Sequence, residues 1–324
     1  MTKRINHSLM VSFLFITLIS IFLINHSYAL TFIDHSNPSC NESYLIINLT
    51  PHSPFNISSN SALATYSISG NGSVSNPYII GNYLIDSPNF GIMITGTTLH
   101  FEIRDNHITA GYVAIFLDNV AANTAKIENN TCISDTGDGG GIGLNHVQGC
   151  IINNNTCENF MQGIHLNYGS LCHITNNTII NSNYQGINIR YSNSNTISHN
   201  LIQNSTEHGL TIVGSSSLNI IYQNIFNNNS QVETYTIDGE RTGTIASQGY
   251  DEGSLNKWYD EVNEIGNCWS DYKKGSYKID GPSNAFDLYP QKCSTNNSSL
   301  IINSFILSFV IIAFSIKLLQ KRKI

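Results

Sequence analysis

The chain has 324 residues, a formal net charge of -7 and only 11% charged residues. Without a basic stripe interleaved with aromatic side chains, this composition argues against a surface for nucleic acid. Most of its polarity comes from Asn and Ser, whose neutral side chains can stack in rows without like-charge repulsion.

Residues 1–29 have the pattern of a secretory signal peptide. Lys3 and Arg4 precede an apolar run from Leu9 to Ile24, and small residues allow cleavage after Ala29. The run is short for a membrane span of ~20 residues, which favours cleavage over an uncleaved anchor. We predict an N-terminal cap over residues 30–76. If the chain is exported, its Asn-x-Ser/Thr sequons, among them those at Asn56 and Asn71, are candidate glycosylation sites.

Internal repeats dominate residues 77–240. Segments such as FEIRDNHI place an asparagine at their sixth position, and the asparagines recur every 22–25 residues. They are Asn106, Asn130, Asn155, Asn177, Asn200 and Asn224. A second pattern, such as Gly163-Ile164-His165-Leu166, alternates with the period of a half-buried strand. The repeats predict an all-β, right-handed parallel β-helix of about 6–7 coils, with the asparagines hydrogen-bonded in a ladder at a bend.

The outward side chains of the second pattern form predicted columns on one face. The candidate ligand-binding residues there are Asp118, Asn145, His165, Asn167, Tyr168, Arg190 and Tyr191. Tyr168 and Tyr191 are expected to lie one coil apart, and aromatic rings beside planar polar groups suit a sugar. An ordinary polar sheet face with a stacked tyrosine pair is the alternative.

Catalytic residues cannot be assigned from this pattern. Glycoside hydrolysis needs two carboxylates about 5–9.5 Å apart, and only Asp118 lies clearly on the predicted face. Asp135 and Asp138 lie on a long bend that could bind calcium, although the glycines at 139–141 also mark a simple turn. A polysaccharide lyase or glycoside hydrolase therefore remains an alternative to a binding protein.

The exported chain has seven cysteines. Cys132 and Cys157 share one predicted inward column, and Cys150 and Cys172 share another. Each pair could form a disulfide or remain as buried thiols. Cys268 and Cys293 are a further candidate disulfide, which would close the C-terminal region.

Residues 241–293 carry an aromatic motif suited to a cap. It includes Trp258, Trp269, Asp271, Tyr272 and Tyr289 within the segments NKW, GNCWSDY and DLYP. Because exposed terminal strands invite edge pairing, a solenoid needs covered ends. We therefore interpret these residues as a structural C-terminal cap and not as an active site.

The repeats, the closing motif and the segment Gly70-Asn71-Gly72-Ser73 together resemble the NosD-type β-helix family, described as periplasmic copper-binding proteins, and related carbohydrate-binding and sugar-hydrolase domains. The resemblance covers about Gly70 to Pro290. Cys268 replaces the usual aromatic residue, and the family's acidic stretch is reduced to Asp280-Gly281-Pro282. Copper sites need clustered His, Met or Cys. Because the predicted columns separate these residue types, we predict no metal site.

The C-terminal residues predict a membrane anchor. An apolar run begins at Leu300, and Lys317, Lys321, Arg322 and Lys323 follow it. We predict a linker over 294–299, a transmembrane helix over 300–319 and a cytoplasmic tail over 320–324, with the body outside the cell. The sequence thus predicts a single-pass cell-surface protein that binds glycans or surface proteins. A structural envelope spacer or a NosD-like metal-related protein would also be compatible with these features.

Overall fold

The computed structural model describes residues 49–237 and 241–293. These residues form an all-β parallel solenoid of the right-handed type with about nine turns. The predicted fold class is confirmed, but the predicted number of coils is too small. The predicted signal peptide and transmembrane helix lie outside the described residues. Within the described ranges, no helix is long and apolar enough to cross a membrane.

Three parallel sheets, named A, B and C here, run along the solenoid. Sheet A has ten strands: Thr50–Pro51, Tyr83–Ser87, His107–Ala110, Thr131–Ser134, Thr156–Glu158, Thr178–Ile180, Leu201–Gln203, Ile225–Asn227, Cys268–Trp269 and Gln291–Lys292. Sheet B has eight: Phe55–Ile57, Phe90–Thr95, Val113–Asp118, Gly140–Asn145, Gln162–Asn167, Ile187–Arg190, Leu210–Val213 and Gly249–Asp251. Sheet C has seven: Tyr78–Gly81, Phe101–Arg104, Ala125–Glu128, Ile151–Asn153, His173–Thr175, Thr196–Ser198 and Ile220–Tyr222.

Short elements outside the repeats explain the additional turns. Strands Thr50–Pro51 and Phe55–Ile57 pair with the first full coil although they precede the repeat pattern. Helix α1, Asn60–Tyr66, follows them and is capped by Ser59, whose hydroxyl accepts from the Ala62 N–H at 3.2 Å. Two antiparallel hairpins, Thr234–Ile237 with Arg241–Thr244 and Tyr277–Lys278 with Phe286–Asp287, complete the described strands.

Apolar columns fill the interior. Side chains at equivalent strand positions stack coil upon coil because parallel neighbours lie ~4.8 Å apart. One fully buried column contains Ile103, Ile127, Ile152, Ile174, Ile197 and Ile221. Another contains Ile108, Cys132, Cys157, Ile179, Ile202 and Phe226. Stacking of identical positions therefore gives a continuous dry core.

The asparagine ladder runs through the same coils. Each side-chain amide Nδ2 donates to the Oδ1 of the next ladder residue at 2.9–3.0 Å, from Asn106 to Asn224 and on to Asn267. The residue before each ladder asparagine from Asn106 to Asn224 has a left-handed backbone, as at Asn129 (φ 57°) and Asn154 (φ 55°). Asparagine tolerates this conformation better than most residues. The Asn-Asn pairs of the sequence thus combine a bend residue with a ladder residue.

Three ladders end on carboxylates near the C-terminal end of the solenoid. Asn267 donates through its backbone N–H and its Nδ2 to Asp287 Oδ2, at 2.7 and 3.2 Å. The ladder Asn195, Asn219, Asn256 ends on Asp251, and the ladder Asn229, Gln248 ends on Asp271. A carboxylate accepts hydrogen bonds and brings no N–H of its own, so it closes a chain of donors without leaving one unpaired.

Aromatic donors share these carboxylates. The indole N–H of Trp258 donates to Asp251 at 3.0 Å, and that of Trp269 donates to Asp287 at 2.9 Å. The Trp269 ring stacks between Phe226 and Tyr277, with centroid distances of 4.1 and 4.0 Å. Both indoles are fully buried. We refer to residues 249–293 as the C-terminal cap.

The cysteines fall into two groups. Cys268 and Cys293 form a disulfide between neighbouring strands of sheet A, with their Cα atoms 5.1 Å apart. The pairs Cys132/Cys157 and Cys150/Cys172 are buried free thiols. Burial raises the pKa of the Cys172 thiol to about 11, so this thiol is not ionised at neutral pH.

Candidate ligand-binding groove

A groove of about 690 Å³ runs over the outer face of sheet B. It spans several coils, because its lining residues belong to successive strands of that sheet. They are Phe90, Met93, Tyr112, Val113, Phe116, Gly139, Gly140, Gly143, Leu144, Asn145, Met161, Gln162, His165, Asn167, Tyr184, Gln185, Asn188, Arg190, Thr211 and Val213. Its size is within the range of small-molecule sites.

The N-terminal half of the groove is apolar and aromatic. Phe90 and Tyr112 pack edge to face at 5.7 Å, and both are exposed. Phe116 lies beside Gly143 in the next strand, where an added Cβ would lie 2.9 Å from the Phe116 ring. Gly143 therefore leaves space for this ring in the groove.

The C-terminal half of the groove is lined by polar side chains in one register. His165, Asn188 and Thr211 occupy equivalent positions of three successive strands, and Asn167 lies two residues after His165. Each carries a buried polar atom without a hydrogen-bond partner: His165 Nε2, Asn167 Oδ1, Asn188 Oδ1 and Thr211 Oγ1. Asn188 is 8% exposed and Thr211 is fully buried. A buried polar atom without a partner costs free energy, and four of the eight such side-chain atoms in the described residues lie in this groove.

A glutamine ladder fixes the orientation of His165. Gln162 Nε2 donates to Gln185 Oε1 at 2.9 Å, and Gln185 Nε2 donates to Glu207 Oε2 at 3.0 Å. The oxygen of Gln162 therefore faces His165 Nδ1 at 2.9 Å, which places the ring proton on Nδ1. Burial, assisted by the positive charge of Arg190, lowers the pKa of His165 to about 4. The ring is neutral at physiological pH, and Nε2 is an acceptor.

A stack of exposed rings stands beside the groove. His146, Tyr168 and Tyr191 are stacked with centroid distances of 4.9 Å at both steps. All three residues have left-handed backbones at the bend after sheet B, with φ from 46° to 51°. The Arg190 guanidinium lies over the Tyr191 ring, 5.0 Å from its centroid. The stack forms a continuous aromatic rim next to the polar half of the groove.

Four of the seven predicted candidates line the groove: Asn145, His165, Asn167 and Arg190. Tyr168 and Tyr191 lie on the adjacent rim. Asp118 is not a lining residue. Its Oδ1 accepts from Asn145 Nδ2 at 2.8 Å and so ends another amide ladder, in which Asn167 donates to Asn145 at 2.8 Å.

The sequence reasoning missed several lining residues. Gln162 and Gln185 each precede the Gly-Ile of a repeat, so the same alignment that found the strands could have shown them as a column. Phe90 has the same strand position as Gln162, but the residue type at this position is not repeated from coil to coil. Tyr112 and Met161 each lie one residue before a strand of sheet B, and their residue types are not repeated either.

The described residues bring no pair of carboxylates to the lining of the groove. Among the described residues that line it, none is Asp or Glu. Asp135 and Asp138 are exposed on a turn in which the Ser134 hydroxyl accepts from the Gly137 N–H at 3.0 Å. Asp135 and Asp138 are not among the residues that line the groove, and calcium binding at the turn stays a prediction.

Comparison with models of known protein families identifies one family that matches the chain. The family model described as periplasmic copper-binding protein (NosD) matches residues 56–274, more than half of the 324-residue chain. The chain belongs to the NosD family. No curated protein and no solved structure gives a significant match to this NosD-family chain.

The side chains of the described residues in this NosD-family chain do not fit a copper centre. Within residues 49–237 and 241–293, no three His, Cys, Asp or Glu side chains come close enough to hold a metal ion. His165 Nδ1 is engaged by Gln162, and the paired cysteines point into the apolar core. Copper sites gather soft or imidazole ligands around one point. The groove gathers amides and aromatic rings instead.

Proposed function

We propose that the protein is a non-catalytic carbohydrate-binding β-helix whose ligand lies in the groove on sheet B, with the Tyr168–Tyr191 rim as a stacking surface. The proposal depends on one observation. Buried polar atoms without partners line a groove that is flanked by exposed aromatic rings. Sugars present both apolar C–H faces and hydroxyl groups, so they can contact both features at once.

The exposed rings support the proposal because they have no other evident role. Tyr168 is 50% exposed and Tyr191 is 38% exposed, although both side chains occur at a bend where small or amide side chains are preferred. Tyr112 and Met161 add further exposed apolar surface at the groove. Exposed apolar surface next to a cleft is typical of a binding site.

We place the body of the protein outside the cytoplasm. The predicted signal peptide and the family description as periplasmic both support export. Attachment to a membrane through residues 300–319 is part of the proposal and rests on the sequence alone. In this arrangement the groove would face polysaccharides of the cell envelope or its surroundings.

A glycan array probed with the full-length protein in detergent tests the proposal. The variants Tyr168→Ala and Tyr191→Ala should each weaken binding of a positive glycan about tenfold, and Tyr222→Ala on the outer face of sheet C is the matched control. Absence of binding to every glycan would contradict the proposal and favour a structural spacer. Release of reducing sugar from a bound polysaccharide would instead favour the hydrolase or lyase alternative.

A further inference from the structure

We propose that the groove selects uncharged, hydroxyl-bearing sugars and discriminates against both uronic acids and amino sugars, because its floor presents hydrogen-bond acceptors whose donors have been used elsewhere. This inference rests on the proposed carbohydrate-binding function and names the class of carbohydrate. It follows from the direction in which the amide ladders run.

Each amide ladder uses its N–H groups along its own length. Asn167 gives its Nδ2 to Asn145, which leaves Asn167 Oδ1 buried without a donor. Asn188 Nδ2 donates to Gln185 Oε1 at 3.3 Å, and Asn188 Oδ1 is buried without a donor. His165 gives its Nδ1 proton to Gln162, and its Nε2 is left as an acceptor.

The floor of the groove therefore carries three hydrogen-bond acceptors, on His165, Asn167 and Asn188, together with the Thr211 hydroxyl, which can donate or accept. A carboxylate or phosphate placed against the three acceptors would meet lone pairs and form no hydrogen bond with them. A sugar hydroxyl supplies the missing donor. Since Thr211 is fully buried, a ligand reaches its hydroxyl only when the side chains that cover it move, and the cost of a mismatched charge there would be high.

Arg190 argues against a cationic ligand. Its positive charge contributes to the lowered pKa of His165, so the field that it adds at that ring is positive. An ammonium group would be a good donor but would be repelled by this field. An uncharged hydroxyl is the ligand group that satisfies the acceptors without opposing Arg190. The same guanidinium would attract a uronate, so charge attraction and acceptor mismatch make opposite predictions for the acidic ligand.

Matched oligosaccharides separate these contributions. Isothermal titration of the full-length protein would compare cellohexaose with its C6-oxidised glucuronic acid form and with the β-1,4-linked glucosamine hexamer. A second set would compare the hexamers of α-1,4-linked galactose and galacturonic acid. We expect the neutral hexamer of a recognised backbone to bind at least tenfold more tightly than its charged counterparts.

The outcomes distinguish this inference from the proposed function. Equal or tighter binding of a uronate or an amino sugar would overturn the selectivity and leave carbohydrate binding intact. Failure of every hexamer to bind, together with a negative glycan array, would overturn both. Tighter binding of the uronate would show that the charge of Arg190 dominates over the acceptors.

The variant Thr211→Val tests the floor directly. It removes a buried hydroxyl that has no partner in the unliganded protein, so we expect a higher melting temperature and about fivefold weaker binding of the neutral hexamer. Ser182→Ala is the matched control, since the Ser182 hydroxyl is also buried without a partner but does not line the groove. It should raise the melting temperature without changing affinity. Thr211→Ser should restore binding, and unchanged binding by Thr211→Val would contradict the assignment.

Discussion

The C-terminal cap and the groove on sheet B are built from the same kinds of side chain and differ in how their polar atoms are satisfied. In the cap, the ladder donors end on Asp251, Asp271 and Asp287. Within the described residues, no buried side-chain N or O atom of the cap lacks a hydrogen-bond partner, whereas four such atoms line the groove. The ladders of both regions end on carboxylates, and the regions differ because the amide oxygens of Asn167 and Asn188, at the acceptor ends of the groove ladders, have no partner.

The comparison predicts that the largest loss of stability comes from the cap. Trp269→Ala should lower the free energy of unfolding by about 4 kcal/mol, since it removes a fully buried ring stacked between Phe226 and Tyr277 and one of the hydrogen-bond donors to Asp287. Urea unfolding followed by circular dichroism measures this change. Leu288→Ala, which alters an exposed cap residue, is the control. An unchanged unfolding midpoint for Trp269→Ala would contradict the structural role of the cap.

Substitution of Asn267, the last residue of the asparagine ladder, should reduce stability almost as much as Trp269→Ala. Asn267→Ala should cost about 3 kcal/mol, because it leaves the Asn224 amide and the carbonyls of Ile221 and Trp258 without their partner. The same unfolding measurement applies. Asn154→Gly, at an exposed left-handed bend position, should change stability by less than about 0.5 kcal/mol. Equal effects of the two substitutions would mean that the ladder contributes little.

The pH dependence of stability should have opposite signs in the two regions. The pKa of His165 is about 4 in the folded protein and 6.5 in the unfolded chain. Between pH 6.5 and pH 4 the unfolded chain therefore binds more protons than the folded protein, so the free energy of unfolding decreases as the pH falls. Burial raises the pKa of Asp251 and Asp287 above the value of 3.8 for a free Asp side chain. Their contribution to the free energy of unfolding is therefore greatest below pH 3.8 and is lost as the pH rises. Acidification to pH 4.5 should therefore weaken the groove and not the cap.

Comparison of wild type with His165→Gln isolates the groove contribution. Between pH 7 and 4.5, wild type should lose about 2 kcal/mol more stability than the variant. The measurement is urea unfolding at the two pH values. A variant with the same pH dependence as wild type would show that His165 is not held neutral by burial.

Among the groove substitutions, a small change in stability is expected where Gly143 approaches the Phe116 ring. Gly143→Val should alter the free energy of unfolding by less than about 1 kcal/mol, because the added Cβ meets the movable ring of Phe116. The displaced ring should narrow the groove and weaken glycan binding about tenfold, measured by titration. Thr196→Val on the outer face of sheet C is the control. Unchanged affinity of Gly143→Val would place the ligand elsewhere.

The sequence by itself determined the coil, because every coil repeats the same local requirements. Strand alternation sets which side chains face the core, and the Asn-Asn pairs supply both a left-handed bend and a ladder residue, as at Asn154 and Asn155. The stacking of Tyr168 on Tyr191 followed from the same register. These features depend on residues one period apart, so the spacing alone predicts their neighbours.

Only the tertiary structure decided the ends of the stack and the chemistry of the groove. The first and last strands of sheet A, Thr50–Pro51 and Gln291–Lys292, do not follow a ladder asparagine. The spacing of the asparagines in the sequence therefore could not reveal the additional turns of the solenoid. Asp251, Asp271 and Asp287 reach their ladders from segments that follow the sequence repeats. The direction of each ladder depends on which end meets a carboxylate, and that direction leaves the oxygens of Asn167 and Asn188 as acceptors. Composition and spacing give the identity of an amide but not the direction in which it donates.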